Sequence, residues 1–199
     1  MHLRVVVVTG LSLVLAGPVL VSAQQSGAAN SQQKAFTPAP VSPADSLNAV
    51  LSLDEQEFVG AAEAMPAEKY DFAPPESAGN YKGVRTFGQQ VKHVAEANYI
   101  LIGRLGVSGA VDRNTIEALK TKDEIVKALK DSFTFYHAAI NSITPQNSFM
   151  SVPGPPQYKF TRVSMAAYGI AHMMDHYGQL VEYLRMNGIV PPASQQGNR

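Results

Sequence analysis

Four helix starts are written into this chain, and no stretch between them alternates apolar and polar residues as a half-buried strand must. Ser42-Pro43-Ala44-Asp45 places a hydroxyl at the N-cap, proline at the first helical position and an acid two residues on, opening a helix that runs to about Met65 before Pro66. Thr86-Phe87-Gly88-Gln89 opens a second, ending near Leu105-Gly106. Thr121-Lys122-Asp123-Glu124 opens a third, whose Ile125, Leu129, Phe133, Tyr136, Ile140 and Ile143 recur at helical spacing until Pro145. A side chain that accepts from the third backbone N–H, with an acid or amide reaching back, satisfies donors that a helix end otherwise leaves orphaned. Thr161 caps the fourth start without an acid three positions on; that helix runs to Asn187, with Gly188 as its C-cap and Pro191-Pro192 as a stop. Four amphipathic helices of roughly 20 to 27 residues bury their faces most economically against one another, so the expected fold class is all-α, a four-helix bundle over 42–192. The connections 66–85, 106–120 and 145–160 are roughly 15 to 20 residues each, longer than simple up-and-down bundles use, and lengths of that kind permit crossovers.

A length of 199 residues accommodates one domain. Lys plus Arg equals Asp plus Glu at 16 each, so no cationic surplus exists to displace phosphate counterions, and nucleic acid is not an expected partner. With no cysteine in the chain, disulfides, thiolate metal sites and a cysteine nucleophile are excluded. Residues 1–23 combine Arg4, an apolar run from Val5 to Leu20 broken by Gly17-Pro18, and small residues before Ala23, which is the anatomy of a secretory signal peptide cleaved after Ala23. The run, about 16 residues, is short of the roughly 20 a spanning helix needs, so export without stable membrane insertion is expected. Residues 24–41 are polar, small and proline-bearing, a flexible linker; 193–199 are expected to form a disordered tail.

Any metal must therefore be held by His, Asp or Glu. His172 and His176 stand four apart on the fourth helix and share a face about one turn apart. Projecting that helix puts Ile170, Met173, Met174, Tyr177, Leu180, Val181 and Leu184 on the main core stripe, with the two histidines on its flank beside Met165, Gly169 and Tyr183, a position suited to a groove open to solvent. HxxxH supplies two ligands where a stable site needs three. On the second helix Phe87, Val91, Val94, Leu101, Ile102 and Leu105 define the core stripe, and His93 flanks it on the side of Ala97 and Ile100. His137, one turn from the end of the third helix, reads as a surface or capping residue, and His2 leaves with the signal peptide. Periodicity alone does not choose between His93 and His137 as a third ligand, because it does not give the order of helices around a bundle.

The segment Ala171-His172-Met173-Met174-Asp175-His176-Tyr177-Gly178-Gln179-Leu180, continuing through Tyr183-Leu184-Arg185 to Gly188-Ile189-Val190-Pro191-Pro192, resembles the last helix of the DinB-like four-helix-bundle superfamily. Thr86 to Ala97 is similar to that family's second helix, and Met65-Pro66-Ala67-Glu68-Lys69-Tyr70 to its turn after the first, so the likeness spans about 43–192. The resemblance implies a three-histidine site, His93, His172 and His176, for a divalent metal such as zinc or nickel. It also implies a homodimer, and metal-dependent transferases or isomerases using low-molecular-weight thiols among the relatives. Those thiols are cytosolic, and the export signal points away from thiol transfer.

Three neutral imidazoles leave a divalent ion with an open position, so the expected function is a metal-dependent hydrolase or transferase acting on a small molecule. The alternatives are a non-catalytic metal or small-ligand binder and a purely structural bundle. Met173 stands where HExxH peptidases carry glutamate, so peptidase activity is disfavoured. Glu96 and Asp175 read as solvated helix-face acids or as partners orienting an imidazole, and no catalytic acid or base is assigned. Tyr70, Tyr81, Tyr99, Tyr168, Tyr177 and Tyr183 read as core residues first and pocket lining second.

Overall fold

The computed structural model of the protein describes residues 38–195; the expected signal peptide (1–23), residues 24–37 of the expected linker and residues 196–199 of the expected tail lie outside the described residues. The chain forms α1 (Pro43–Ala64), α2 (Phe87–Ile102), a short α3 (Arg113–Glu117), α4 (Lys122–Asn141), α5 (Arg162–Met186) and a last turn α6 (Pro192–Gln195). Residues 193–195, expected as the start of the tail, lie in α6, which packs on α1. Among the described residues no helix is long and apolar enough to cross a membrane.

Each long helix begins at its cap. Thr86 and Gln89 close a reciprocal capping box on α2, and Thr121 and Glu124 do the same on α4. Ser42 accepts from the Asp45 N–H at the start of α1. The start of α5 is stronger than its sequence suggests, because Ser164 takes the place of an acid: the Thr161 N–H donates to Ser164 Oγ at 2.8 Å. At the far end of α5, Gly188 adopts φ of 73°, and the Ile189 and Gly188 N–H groups donate to Leu184 and Arg185 carbonyls, both at 3.0 Å. Glycine at that left-handed position makes this six-to-one closure possible without strain.

The four long helices pack in the circular order α1, α4, α2, α5: α2 lies along α4 and α5, and α1 lies along α4 and α5. Consecutive helices α1 and α2 are therefore diagonal across the core, as are α4 and α5. The long connections 65–86 and 142–161 are the crossovers that this order requires. The first is built into the bundle: the Phe87 and Gly88 N–H groups donate to Phe72 and Tyr70 carbonyls at 2.8 Å each, satisfying two free donors of α2. Gly88 is needed there, since a Cβ would meet Tyr70 Cδ1 at 2.9 Å. At the other end Arg162 donates to the Leu105 carbonyl at 2.7 Å and to Ser142 Oγ at 2.6 Å, tying the ends of α2 and α4 to the start of α5.

The core is formed by Leu51 and Phe58 of α1, Phe87, Val91, Val94 and Ile102 of α2, Leu129, Phe133, Tyr136 and Ile140 of α4, and Met165, Met173, Leu180 and Leu184 of α5. One expectation needs correcting. Met165, Gly169, His176 and Tyr183, expected on a solvent-open flank, are buried, whereas Met174, Tyr177 and Val181 of the expected stripe are half-buried. The physical reason is that α5 lies between two neighbours. Its Tyr177 faces Phe58 of α1, with ring centroids 6.5 Å apart, while its histidine-bearing face meets α2. Gly169 does not open a groove either. The Tyr136 hydroxyl of α4 crosses the core to donate to the Ala166 carbonyl at 2.6 Å and occupies the space a side chain at Gly169 would need.

Candidate metal centre

Because α2 and α5 are neighbours, the middle of one faces the middle of the other. His93 therefore meets His172 and His176, with ring centroids 5.2 and 4.8 Å away, and His172 and His176 are 4.7 Å apart. One ligating atom from each of the three lies within 4.8 Å of the others. Tetrahedral ligation of a divalent ion at about 2.0–2.1 Å separates nitrogen donors by roughly 3.4 Å, so rotations of an ångström or so bring the set to ligation distance.

Electrostatics favour neutral rings. Burial is the largest cause for all three: it lowers the pKa of His93 from 6.5 to about 4 and pushes those of His172 and His176 down as well. The nearby Arg85 guanidinium adds to the effect on each; the Asp175 carboxylate opposes it at His172 and His176, and the Gln179 side chain opposes it at His176 as well. Neutral imidazoles carry the lone pairs a metal takes. His176 is 7 % exposed and its Nδ1 is buried with no hydrogen-bond partner among the described residues. An unsatisfied buried nitrogen costs about 1–3 kcal/mol unless something engages it, which fits a site built to receive a ligand atom or an ion. A donor set of neutral nitrogens without thiolates suits a borderline divalent ion of the zinc or nickel class.

One turn along the same faces lies a pair of amides that sequence reading overlooked. Gln90 Nε2 donates to Gln179 Oε1 at 2.5 Å, and Gln179 Nε2 reaches Asp175 Oδ2 at 3.2 Å. Gln90 precedes His93 by three residues and Gln179 follows His176 by three, so helical spacing alone was the signal that could have found them. The Gln90 Oε1 is also buried without a partner. In the other direction along α2, Glu96 is 6 % exposed rather than solvated, and it makes no hydrogen bond to an imidazole. It pairs with Arg113 of α3, Nε to Oε2 at 3.4 Å, while Arg113 is held more closely by Glu117 at 2.6 Å. The short helix α3 is what covers Glu96, and burial holds the Glu96 carboxyl above its ordinary range. Asp175 remains an exposed helix-face acid.

His137 is in a different place. It is neither a surface residue nor a helix cap: Nδ1 is 2.7 Å from Asn48 Oδ1 and Nε2 is 2.9 Å from Glu55 Oε2, both on α1. Of the tyrosines, Tyr70, Tyr99 and Tyr183 are buried and Tyr177 half-buried, as core residues; Tyr81 and Tyr168 are exposed, and the Tyr168 ring is 6.4 Å from His172. A concavity of about 710 Å³ lies on the α1–α4 side, lined by Glu55, Glu57, Glu63 and Lys130 among others, and contains none of the clustered imidazoles.

Comparison with known proteins agrees with this architecture. No curated protein matches the chain. Among solved structures it is similar to a DinB-like protein from Bacillus cereus ATCC 10987, with 14 % identity over 74 % of this chain and 95 % of that one and a TM-score of 0.63. It is also similar to a candidate member of the DinB family from Exiguobacterium sibiricum 255-15, with 15 % identity over 75 % of this chain and 95 % of that one and a TM-score of 0.57. At such identities the likeness is one of fold. Residues 51–180 match the family model of the DinB superfamily, which takes in most of the bundle, and the chain belongs to that superfamily.

Proposed function

We propose that His93, His172 and His176 hold one divalent ion, zinc or nickel, with an open coordination position, and that the protein uses it for hydrolysis or group transfer on a small molecule. The observation that carries this reading is the convergence of three neutral, partly buried imidazoles, with donor atoms within 4.8 Å of one another, on two facing helices. A bound ion of this kind supplies a Lewis acid and an activated water. The chain's own part is to keep the three rings unprotonated by burial, and to hold the His176 turn through the Gln90–Gln179–Asp175 bonds.

A second reading, a holder of metal or small ligand without turnover, is favoured by one observation: Glu96, the buried carboxylate one turn from His93, is engaged by Arg113 rather than free to serve as a base. The test is metal content. Untagged protein, stripped and then titrated with zinc and with nickel, should take up one equivalent of either by elemental analysis and calorimetry. Uptake of none overturns the metal-dependent enzyme and the metal holder alike, leaving only a small-ligand holder, and turnover assays on the loaded protein separate the first two.

We also propose that the protein works outside the cytosol after cleavage at Ala23, on the strength of the charge and apolar pattern of residues 1–23. Mass spectrometry from the native host should find Gln24 at the N-terminus.

A further inference from the structure

We propose that the rings of Tyr158, Phe160 and Tyr168 form a subsite that takes the planar, unsaturated part of a small molecule whose polar end sits at the His93–His172–His176 centre; this rests on the metal reading above.

The rings make a continuous row that ends at an imidazole of the centre. Tyr158 to Phe160 is 5.8 Å between centroids, Phe160 to Tyr168 is 5.4 Å, and Tyr168 to His172 is 6.4 Å, each pair tilted by 44–49°. Tyr168 precedes His172 by four residues on α5, so helix geometry stacks it one turn away on the same face. Tyr158 is 60 % exposed and Tyr168 46 %, so these two rings are not spent on the core in the way Tyr70, Tyr99 and Tyr183 are, while Phe160 between them is half-buried against it.

The loop that carries two of the rings is held in shape. The Val152 N–H donates to the Phe160 carbonyl at 3.0 Å, the Tyr158 N–H to the Pro155 carbonyl at 2.9 Å, and the Arg162 N–H to the Met150 carbonyl at 3.0 Å. An antiparallel bridge joins Ser151 to Thr161, and Pro153, Pro155 and Pro156 stiffen the turn between. Gly154 lets the Phe160 ring approach the loop backbone, since a Cβ there would meet Phe160 Cδ2 at 3.2 Å. Exposed aromatic faces held on a braced loop cost little further ordering when a ligand stacks on them. Their continuity with His172 selects the occupant. A flat group bonded to a metal-seeking head reaches the rings from the centre, and an aliphatic group of similar head chemistry gains little there.

The probes are acetohydroxamate and benzohydroxamate, which share a metal-binding head and differ in the planar group. Binding is measured by calorimetry on the full chain loaded with zinc, after elemental analysis of each preparation. Benzohydroxamate should bind roughly five- to tenfold more tightly. Tyr168→Leu, which keeps an apolar side chain and removes the ring, should remove most of that preference, as should Tyr158→Leu to a smaller degree, with metal content unchanged. Equal affinity of the two probes at one full equivalent of zinc, or a preference that survives both substitutions, overturns the subsite while leaving the metal reading in place. Absence of zinc in the loaded wild-type protein overturns the metal reading, and the subsite falls with it.

Discussion

His93, His172 and His176 meet where α2 lies against α5, and among the described residues no carboxylate is hydrogen-bonded to any of their rings; His137, on the opposite side of the bundle where α1 lies against α4, has an oxygen within hydrogen-bond distance of each ring nitrogen. At the first place burial and neighbouring positive charge hold the rings neutral, and one buried nitrogen is left without a partner. At the second, both ring nitrogens lie within hydrogen-bond distance of oxygens of Asn48 and Glu55, and Asn48 goes on to donate to Asn141 Oδ1 at 2.7 Å, so the imidazole fastens two helices. What leaves a histidine able to take a metal, on this comparison, is the set of partners its surroundings withhold, more than the residue or its helix.

The strongest way to break this comparison is to remove ligands from one side only. The double variant His172→Ala with His176→Ala should fall from one equivalent of zinc or nickel to below about a tenth, since one imidazole is not a site. Under the same elemental analysis His137→Ala should retain the full equivalent. A reversed result would move the site to the other side.

Gly169→Ala tests how tightly the metal-side helix is fitted. A Cβ there meets the Tyr136 hydroxyl, with the ring Cζ at 3.1 Å and Ile102 Cδ1 at 3.2 Å. Overpacking of this kind should cost about 1–3 kcal/mol in chemical denaturation and weaken metal uptake by displacing the turn that carries His172. A variant as stable as the parent would show that α5 can shift freely.

Protons sharpen the contrast further. His93 has its pKa lowered from 6.5 to about 4, so between those values the unfolded chain binds more protons than the folded one. The stability gained by keeping the ring neutral is complete above pH 6.5 and drains away as pH falls toward 4. Metal-free protein should lose stability across this window, by an amount reduced by solvent screening, and loaded protein should release its metal there. His93→Gln should flatten the slope in denaturation measured at several pH values. An unchanged slope would mean that His93 is not the group responsible.

The smallest effect is expected at His137→Ala, where loss of the bridge to partly exposed Asn48 and Glu55 should cost about 1 kcal/mol of stability. A loss several times larger would make that bridge a main support of the bundle.

The amino-acid sequence by itself determined what depends on near neighbours. Ser42, Thr86, Thr121 and Thr161 set where the long helices begin, because a cap answers N–H groups only two or three residues away; Gly188 ends α5 for the same reason. The pairing of His172 with His176 was equally legible, being one turn of one helix. Helix α3 was not, since five residues are too few to show a period, and the burial of Glu96 beneath it was hidden as well. Helical periodicity left the choice between His93 and His137 open; the family resemblance implied His93, and the tertiary structure gives the physical reason. That reason is the order α1, α4, α2, α5, which is set by how long crossovers and apolar arcs fit together across the core, and no local pattern encodes it. The same packing decided which face of α5 is buried. A helix wedged between two partners buries a wider arc than its most apolar stripe, and His176 lies within the part that stripe leaves out.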